Sequence, residues 1–399
     1  MFVLNYQRLT VRRIRNQVRV ALIALIFSTL TIGGIAFSAE RQELFSLARP
    51  ATIAVNSSFL SPLDELFGDI SIGRGVFISG NTVVRADPGT SICLENETNL
   101  QDNIIFSALR NLPSPRSTRC GRLGATGITS STGEKVSIAH QAKIENSYVG
   151  NFTFIGFRAY LNNVVLEDGA FVLHGARITN VKIGKNRLVP IGAVITTQAQ
   201  ADALPLKTDD NSEFQTEVLE VNAEFAEHYS ELYNNEGFDA VVGASVAPRT
   251  SWNPKPVKPT LGRNVQTAEF VRVVGDVRIG ANSTIGQRTS IRADEGTPII
   301  IGDNAEIEDR VTFHALKGTS IRIGRNLDSD DNIVFHGPLE VGDNLTIGDD
   351  AILFRSQVGN NVTIGSRAIV VGVTLRDGVN VPDNAVITTQ QQADALRQA

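Results

Sequence analysis

Two histidines, His314 and His336, lie downstream of a charged cluster formed by Arg292, Asp294 and Glu295. Imidazole and carboxylate side chains transfer protons or bind metal ions, and a guanidinium group stabilises a neighbouring anion. The structural alternative for each histidine is a polar side chain at a corner of the fold that bonds to the backbone. The chemistry therefore depends on the elements that position these side chains.

Those elements carry a six-residue repeat. Ile279, Ile285 and Ile291 follow one another at this spacing, which continues on both sides. Such a repeat predicts a hexapeptide β-helix, in which each short strand buries one inward aliphatic side chain. Glycine follows several of the inward residues, and we expect it at corners that need a positive φ angle. Examples are Gly280, Gly302 and Gly348.

The composition bounds the size of the fold and excludes one class of partner. With 399 residues, of which 42% are apolar, the chain is long enough for two domains with cores of their own. The net charge is −5 although residues 1–39 carry five arginines and no acid, so the remainder is distinctly acidic. An acidic body repels a phosphate backbone, and we therefore exclude nucleic acid as a partner.

Residues 1–39 predict a targeting segment. An arginine-rich start precedes Val20 to Ala39, a stretch of twenty residues without a charged side chain. That length spans a bilayer, and the positive flank places the N-terminus in the cytoplasm. Ala36-Phe37-Ser38 also has the form of a signal-peptidase site, so a membrane anchor through residues 20–39 and a cleaved signal peptide both stay open. Either interpretation predicts that the body is exported to a periplasmic, extracytoplasmic or lumenal compartment.

Two six-residue arrays divide the rest of the chain. The first begins near Ile72, and the second runs from about Val273 to Ile387. Glu213 to Asn234 is predicted as a helix, because apolar residues recur there at helical spacing. Both arrays close on similar Thr-Thr-Gln stretches, and their charged residues recur at one constant offset, so they are tandem copies. We place the first copy at 50–246, a proline-rich connector at 247–259 and the second copy at 260–399.

The two cysteines, Cys93 and Cys120, lack the spacing of a metal site. In an oxidising compartment they could form one disulfide that ties a loop to the first β-helix. The alternative is a pair of buried thiols, and the sequence leaves both open.

The motifs around the charged cluster resemble those of the gamma-class carbonic anhydrases. The shared motifs are Arg-Ala-Asp-Glu-Gly-x-Pro at Arg292, Asp-x-Val-x-x-His-Ala-Leu at Asp309, His-Gly-Pro at His336, and a closing Thr-Gln-x-x-Ala-Asp-x-Leu in each copy. The resemblance implies an all-β fold of two tandem left-handed parallel β-helices with short C-terminal α-helices, after an N-terminal hydrophobic helix. It also implies a homo-oligomer with trimer-like packing of β-helices and a metal at each boundary.

The same resemblance identifies the metal ligands, which are two histidines from one β-helix and a third from its neighbour. His314 and His336 match the first two in the second copy, where Asp331 stands at the position of the third. The first copy retains only the third. The residues at its three positions are Ser107, Glu145 and His140.

These losses are complementary, so three imidazoles meet only in a composite site that joins His140 to His314 and His336. Three nitrogens and an open position favour catalytic Zn²⁺, with Fe²⁺ or Co²⁺ as further candidates. Such a metal lowers the pKa of its water to about 7, and the hydroxide attacks CO2 to give bicarbonate. Alternatively, Asp331 of a neighbouring chain completes a two-histidine, one-carboxylate set that suits iron. The sequence leaves the two assemblies open.

The resemblance also assigns supporting roles. Glu308 stands where the family has a glutamine, and it would orient the metal-bound hydroxide. Glu295 would accept the proton. Arg292 and Asp294 are expected to form an ion pair at the interface, with Asp309 alongside.

Two further expectations follow from the family pattern. Asn222, on the predicted helix, matches an asparagine that contacts substrate, and only the first copy has this helix. His314 and His336 lie too close in sequence for the acidic loop that carries a shuttle glutamate in some members. We therefore expect slow proton transfer.

Three classes of function stay open at this point. The first is an exported or membrane-anchored carbonic anhydrase, a lyase, with one composite site per pair of copies. The second is an inactive scaffold that assembles through its β-helices, which the ligand losses in the first copy favour. The third is a hexapeptide acyltransferase that uses coenzyme A, a cofactor that is scarce outside the cytoplasm.

Overall fold

The computed structural model describes residues 52–53, 58–115 and 128–397. Within these ranges, short parallel strands form six sheets that wind into two prisms, and each prism has three sheets. The prediction of an all-β fold built from parallel hexapeptide repeats is confirmed, and the architecture fits a left-handed β-helix. The predicted N-terminal hydrophobic helix and its 1–39 segment lie outside the described residues.

The first β-helix consists of sheets A, B and C. Sheet A contains Thr52–Ile53, Ile70–Ile72, Ile92–Leu94, Ser130–Thr132, Tyr148–Val149, Val165–Leu166 and Lys182–Ile183. Sheet B contains Phe59–Leu60, Phe77–Ile78, Asn99–Leu100, Ser137–Ile138, Phe154–Ile155, Phe171–Val172 and Leu188–Val189. Sheet C contains Glu65–Phe67, Val83–Ala86, Ile105–Ala108, Lys143–Glu145, Tyr160–Asn162, Arg177–Thr179 and Val194–Ile195.

The second β-helix consists of sheets D, E and F. Sheet D contains Gly243–Ser245, Arg272–Gly275, Ser290–Ala293, Thr312–Ala315, Val334–Gly337, Ile352–Phe354, Ile369–Val371 and Val386–Ile387. Sheet E contains Thr260–Leu261, Val277–Ile279, Ile299–Ile301, Ile321–Ile323, Leu339–Val341, Gln357–Val358 and Thr374–Leu375. Sheet F contains Gln266–Thr267, Thr284–Ile285, Glu306–Ile307, Asp328–Ser329, Thr346–Ile347, Thr363–Ile364 and Asn380–Val381.

The aliphatic residues of the repeat fill the two interiors. Ile72, Ile78 and Val84, one from each sheet of the first β-helix, are completely buried. Ile279, Ile285 and Ile291 are no more than 3% exposed in the second. Each β-helix therefore has a core of its own, formed by one inward side chain per strand.

The prediction of positive φ angles at the glycines of the repeat is wrong. Gly280 and Gly302 have no positive φ, whereas Asn282 and Asn304 have φ angles of 58° and 60°. A Cβ atom at Gly280 would lie 2.4 Å from the backbone nitrogen of Asp303 in the next coil. Glycine is needed there because adjacent coils pass close together, and asparagine supplies the left-handed conformation.

Three α-helices accompany the β-helices in the described residues. Helix α1 (Gln198–Asp202) and helix α3 (Gln390–Asp394) close the two β-helices, and each starts with a capping box. Helix α2 spans Asp209–Glu236 and starts earlier than the predicted Glu213, because Thr208 caps its first turn. A 3-10 turn, Phe238–Ala240, follows α2.

The two β-helices of one chain pack side by side along an apolar interface. The first contributes Phe154, Phe157 and Phe171, and sheet D contributes Ile352 and Phe354. Helix α2 packs separately against sheet B of the first β-helix, where Phe225 and Tyr229 contact Phe77. Because the first strand of sheet D, Gly243–Ser245, precedes the connector, the second β-helix starts just after the 3-10 turn that follows α2.

Cys93 is completely buried and is disulfide-bonded, while Cys120 lies outside the described residues.

In the part of the chain that the structure describes, no helix combines the length and the hydrophobicity needed to cross a bilayer.

Candidate metal centre

Sheet D places four side chains in one outward-facing column. Arg292 pairs with His314, His314 with His336, and His336 with Phe354 on successive parallel strands. Side chains at paired positions in a parallel sheet share a face, so the column points toward the first β-helix.

The first β-helix presents a matching column at the corner that follows sheet B. Asp102, His140, Phe157 and His174 each stand two residues after an inward aliphatic on successive coils. Close contacts link this column. The backbone nitrogen of Asp102 lies 3.3 Å from Nδ1 of His140, and the backbone N–H of Phe157 donates to Nδ1 of His174 at 3.1 Å. The two columns face each other across the interface within one chain.

Three imidazoles meet where these columns touch. His140, His314 and His336 are at most 3% exposed, and one ring nitrogen from each lies within 4.8 Å of the others. Nε2 of His140 and Nδ1 of His314 are 3.3 Å apart. Two nitrogens bound to one tetrahedral zinc at about 2.0–2.1 Å would be about 3.3 Å apart. The donor set therefore fits a metal ion.

The other ring nitrogen of each histidine faces an acceptor. His140 Nδ1 lies 3.2 Å from Asp102 Oδ2, His314 Nε2 lies 3.2 Å from Asp294 Oδ1, and His336 Nδ1 lies 3.3 Å from the carbonyl of Gly337. A proton on each of these nitrogens leaves the facing nitrogen with its lone pair. This outer arrangement orients imidazoles for metal binding.

A buried guanidinium group links the two carboxylates. Arg292 Nε lies 3.0 Å from Asp102 Oδ2, and Arg292 Nη1 bonds to Asp294 Oδ2. Burial alone would raise the pKa of both carboxyls, but Arg292, His140 and His314 hold the pKa of each aspartate below its usual range. Both aspartates are therefore ionised, and they keep the two histidines in orientation.

His140 and His336 are uncharged at neutral pH. Burial lowers the pKa of His140 to about 4, against the opposing effect of Asp102. Burial and the neighbouring His314 lower the pKa of His336 well below its usual value. Neutral imidazoles are the form that binds a metal.

Glu295 lies at the edge of the centre. Its Oε2 is 3.7 Å from His314 Nε2, and its Oε1 accepts the backbone N–H of Lys317 at 2.8 Å. Burial raises the pKa of Glu295. The Lys317 ammonium sits 4.9 Å from the centre of the Trp252 ring, and Trp252 donates to the carbonyl of Asp294. These groups form the outer wall of the site.

Helix α2 covers the centre from the other side. Tyr229 donates its hydroxyl to Asp294 Oδ2 at 2.5 Å, and the Phe225 ring lies 5.7 Å from the Arg292 guanidinium. Asn222 is 5% exposed and shares this helix face, but its Nδ2 donates to the carbonyl of Val218 within the helix.

Comparison with known proteins places the chain among hexapeptide-repeat proteins. A family model described as the hexapeptide repeat of succinyl-transferase matches residues 276–308 and 357–389. The carboxysome assembly protein CcmM of Nostoc sp. is 36% identical over 170 residues, which cover 42% of this chain. This match spans only 29% of the length of CcmM.

Two further relatives are named as carbonic anhydrases. Gamma carbonic anhydrase 1, mitochondrial, of Arabidopsis thaliana is 31% identical over 157 residues, 39% of this chain and 51% of that protein. The carbonic anhydrase of Methanosarcina thermophila is 36% identical over 187 residues, 44% of this chain and 73% of that protein. The chain belongs to the gamma-class carbonic anhydrase family. The resemblance drawn from the sequence motifs is thereby confirmed.

Within one chain, Asp309 and Glu308, to which the family pattern assigned supporting roles, lie at a sheet F corner. Asp309 is exposed, and its Oδ1 accepts the backbone N–H of Gln287. Asp102, its counterpart in the first copy, is the carboxylate that lies alongside Arg292. Glu308 stands next to Asp309 at this same sheet F corner, where its backbone N–H donates to the carbonyl of Ser329.

Asp331, the alternative third ligand, lies at the sheet F corner as well. Its Oδ1 accepts the backbone N–H of Asp309 at 3.0 Å, and it is not part of the histidine group. In the described residues, the three histidines form the single cluster that has metal-ligand geometry. Within one chain, His140 therefore occupies the position that Asp331 would need.

Asp102 and Tyr229 had no role among the predictions from the sequence. The sequence did contain a signal for Asp102. Asp102 stands one coil before His140 at the same corner, so a site that uses His140 also has Asp102 beside it. Tyr229 had no comparable signal, since its contact with Asp294 depends on how α2 packs.

The lost ligand positions of the first copy have become ordinary polar contacts. Glu145 accepts hydrogen bonds from Tyr160 and Asn162, both at 2.8 Å, and pairs with Lys143 at 2.7 Å. Ser107 is 5% exposed on the neighbouring strand. This face therefore has no histidine with which to build a second centre.

His174 predicts an acid-sensitive fold. Burial against the Phe157 ring, 4.3 Å away, lowers the pKa of His174 to about 3. The unfolded chain then binds the proton first, at about pH 6.5, so stability is full above that pH and is lost as the pH falls toward 3. We expect the titration of His174 to lower the free energy of unfolding by about 2 kcal/mol between pH 7 and pH 5.

Urea denaturation of wild type and His174→Asn at both pH values measures this term. The asparagine keeps an acceptor for the Phe157 amide but does not titrate. The free energy of unfolding of the variant should therefore fall by about 2 kcal/mol less than that of wild type between pH 7 and pH 5. His228→Asn is the control, because that side chain is 28% exposed. Equal pH dependence in the His174→Asn variant and wild type would refute the assignment.

Proposed function

We propose that this protein is a metal-dependent carbonic anhydrase that converts CO2 and water to bicarbonate and a proton. One metal is held per chain, between its two β-helices, by His140, His314 and His336. The observation that carries the proposal is the convergence of three imidazoles, each with its outer nitrogen facing an acceptor. Relatives named as carbonic anhydrases support the reaction.

The donor set indicates the class of metal. Three imidazole nitrogens suit Zn²⁺, and Fe²⁺ or Co²⁺ accept the same ligands. When bound, such a cation acts as a Lewis acid that makes water nucleophilic near pH 7. The remaining roles belong to side chains of the protein.

Asp102, Asp294 and Arg292 position the ligands. The two carboxylates hold the imidazoles of His140 and His314, and Arg292 holds the carboxylates. All five groups are buried and packed, so the ligand geometry is set before the metal arrives. This preorganisation removes the reorganisation that flexible ligands would need.

Gln101 is the candidate for the orienting role that the family pattern assigned to Glu308. It directly precedes Asp102, is 8% exposed, and its Oε1 has no hydrogen-bond partner. A buried amide oxygen without a partner is costly and is available to a polar ligand. Asn222 stays a weaker candidate, because its amide group is bonded to Val218.

Glu295 is the proposed proton acceptor. Its carboxylate lies at the edge of the histidine cluster, and burial moves its pKa toward neutrality, where a general base works best. Beyond it, the side chain of Glu295 is 11% exposed and Lys317 is open to solvent. The proton would therefore leave past Trp252 and Lys317.

Glu295→Gln should separate proton transfer from CO2 conversion. We expect kcat to fall by about 100-fold in dilute buffer, because a positioned base commonly contributes that much. The value of kcat/KM should change little, since CO2 is converted before the proton leaves. Stopped-flow CO2 hydration with and without added imidazole measures both, and imidazole should partly restore kcat.

A matched control is Glu306→Gln, which removes an exposed carboxylate from sheet F. It should leave both constants unchanged. An equal fall of kcat and kcat/KM in Glu295→Gln, with no rescue by imidazole, would contradict the shuttle role.

The second candidate is a catalytically inactive assembly protein. The match to carboxysome assembly proteins and the lost ligands of the first copy favour it. The two candidates differ in one measurable property, because a scaffold needs no metal at the three histidines.

The purified full chain decides between them. Metal analysis and stopped-flow CO2 hydration should give one divalent metal per chain and an activity that a chelator removes and metal restores. A protein that binds no metal and hydrates no CO2 under reducing and oxidising conditions would be a scaffold.

The location is also part of the proposal. We place the body outside the cytoplasm, on the strength of the uncharged stretch from Val20 to Ala39 and of the disulfide at Cys93. A fusion reporter that is active only after export, placed after Ala399, tests this directly.

A further inference from the structure

A small cavity lies beside the metal centre, and Arg292 forms part of its wall. It is bounded by sheet B of the first β-helix, helix α2 and the upper end of sheet D. The polar side chains in its wall are Ser61, Ser79, Tyr229, Arg272 and Arg292. No group that the proposed reaction uses requires this cavity.

Arg272 is the unusual residue in the wall. It is 4% exposed, and its Nη1 donates to Ser245 Oγ at 2.6 Å and to the carbonyl of Gly243 at 3.3 Å. Its Nη2 is buried and has no hydrogen-bond partner. A guanidinium group does not lose its charge in a protein, so this donor stays cationic.

The charge of Arg272 is not balanced by a direct ion pair. Among the described residues, no carboxylate lies within ion-pair distance of it, whereas Asp102 and Asp294 both bond to Arg292. Removing a charge from water without a partner costs several kcal/mol. A buried arginine next to a cavity therefore indicates that the cavity holds its partner.

The other polar groups of the wall narrow the choice of partner. Tyr229 and Ser79 already donate their hydroxyl hydrogens to Asp294 and Asp102. Ser61 Oγ accepts the backbone N–H of Leu63, which leaves its hydrogen for the cavity. Two guanidinium groups and no carboxylate line the space. This environment favours an anion over a cation.

The size of the cavity excludes a polyatomic ligand. The cavity volume is about 10 Å³, which is room for about one water-sized particle. Bicarbonate, phosphate and carboxylates are too large.

We propose that this cavity is a binding site for one monatomic anion of the chloride class, held by Arg272 and Ser61. The site is separate from the metal centre, and it does not depend on a metal at the three histidines. Its occupant accepts the hydrogen bond that Arg272 Nη2 offers and so stabilises the wall between α2 and sheet D.

Bromide replaces chloride and is visible by anomalous diffraction, so crystals of the full chain grown in sodium bromide test the site. We expect one anomalous peak in contact with the Arg272 guanidinium, in metal-free and metal-loaded protein alike. Chloride should also raise the Tm relative to gluconate at equal ionic strength. Non-anomalous density at this place, which identifies water, would overturn the proposal.

Substitutions in the cavity wall test whether the anomalous bromide peak and the effect of chloride on the Tm both depend on the wall residues. Arg272→Gln should remove the bromide peak and the difference in Tm, with chloride affinity at least about tenfold weaker. Arg278→Gln is the matched control, because Arg278 is exposed and pairs with Asp276, two residues earlier in the chain. If Arg272→Gln fails to fold, Ser61→Ala should still weaken chloride binding. A bromide peak unchanged in both wall variants would refute the assignment.

Discussion

Replacing His140 with alanine is expected to remove the metal and the activity together. The remaining pair, His314 and His336, offers two nitrogens, and in the described chain no other histidine or carboxylate forms a metal-ligand group with them. We expect bound metal to fall from one per chain to a small fraction and kcat/KM to fall by more than about 100-fold, since even the loss of an outer-shell partner costs 10- to 100-fold. Elemental analysis and stopped-flow CO2 hydration measure both.

The control is His228→Ala, which changes a histidine that is bonded to Glu231 on the exposed face of α2. It should leave metal content and activity unchanged. If His140→Ala keeps its metal and its activity, the third ligand comes from elsewhere, and Asp331 of another chain becomes the candidate. In that case Asp331→Ala should abolish metal binding.

Replacing Arg292 with glutamine is expected to cause a large loss of stability. Arg292 is 3% exposed and is the guanidinium partner of both Asp102 and Asp294. Its removal leaves two buried carboxylates without their cation, and breaking a buried ion pair in this way costs about 3–5 kcal/mol. Urea denaturation at pH 7 gives the change in the free energy of unfolding.

The tandem copy supplies a matched control for this substitution. Arg85 occupies the equivalent position in the first copy, pairs with Asp87, and its side chain is 57% exposed. Arg85→Gln should therefore change stability by less than about 1 kcal/mol. Similar losses in the two variants would show that the buried network does not carry the stability that we assign to it.

A pH series adds a second readout for Arg292→Gln. Without the guanidinium group, the pKa values of Asp102 and Asp294 should rise, because burial then dominates. The unpaired carboxylates become neutral as the pH falls, so the deficit of the variant relative to wild type should shrink between pH 7 and pH 5. A deficit that does not change with pH would indicate a loss of packing instead.

Much of the architecture could be predicted from the spacing of aliphatic residues. Ile279, Ile285 and Ile291 repeat because each coil of a β-helix buries one side chain per sheet, and this requirement is local along the chain. The same locality placed His314 and His336 in one column, since residues at equivalent positions of successive coils share a face. The helix after the first array was likewise visible as an apolar stripe on α2.

The sequence could not predict which corner of each copy meets the other copy. Asp102 and Asp309 occupy equivalent positions in similar motifs, yet Asp102 is completely buried against Arg292 and Asp309 is exposed. The difference arises from packing between the two β-helices. The same repeat forms all three faces of each β-helix, so it does not indicate which face packs against the other β-helix. The glycines showed the same limitation, because the close approach of neighbouring coils is not visible in local spacing.

The sequence by itself determined that three histidines survive in two copies that each lost a different part of one motif. Only the tertiary structure brought His140 to within 3.3 Å of His314 inside a single chain. It also closed α2 over the centre, where Tyr229 bonds to Asp294. Contacts of this kind join residues far apart in sequence, and burying the apolar faces of Phe157 and Phe354 against each other is what holds them in register.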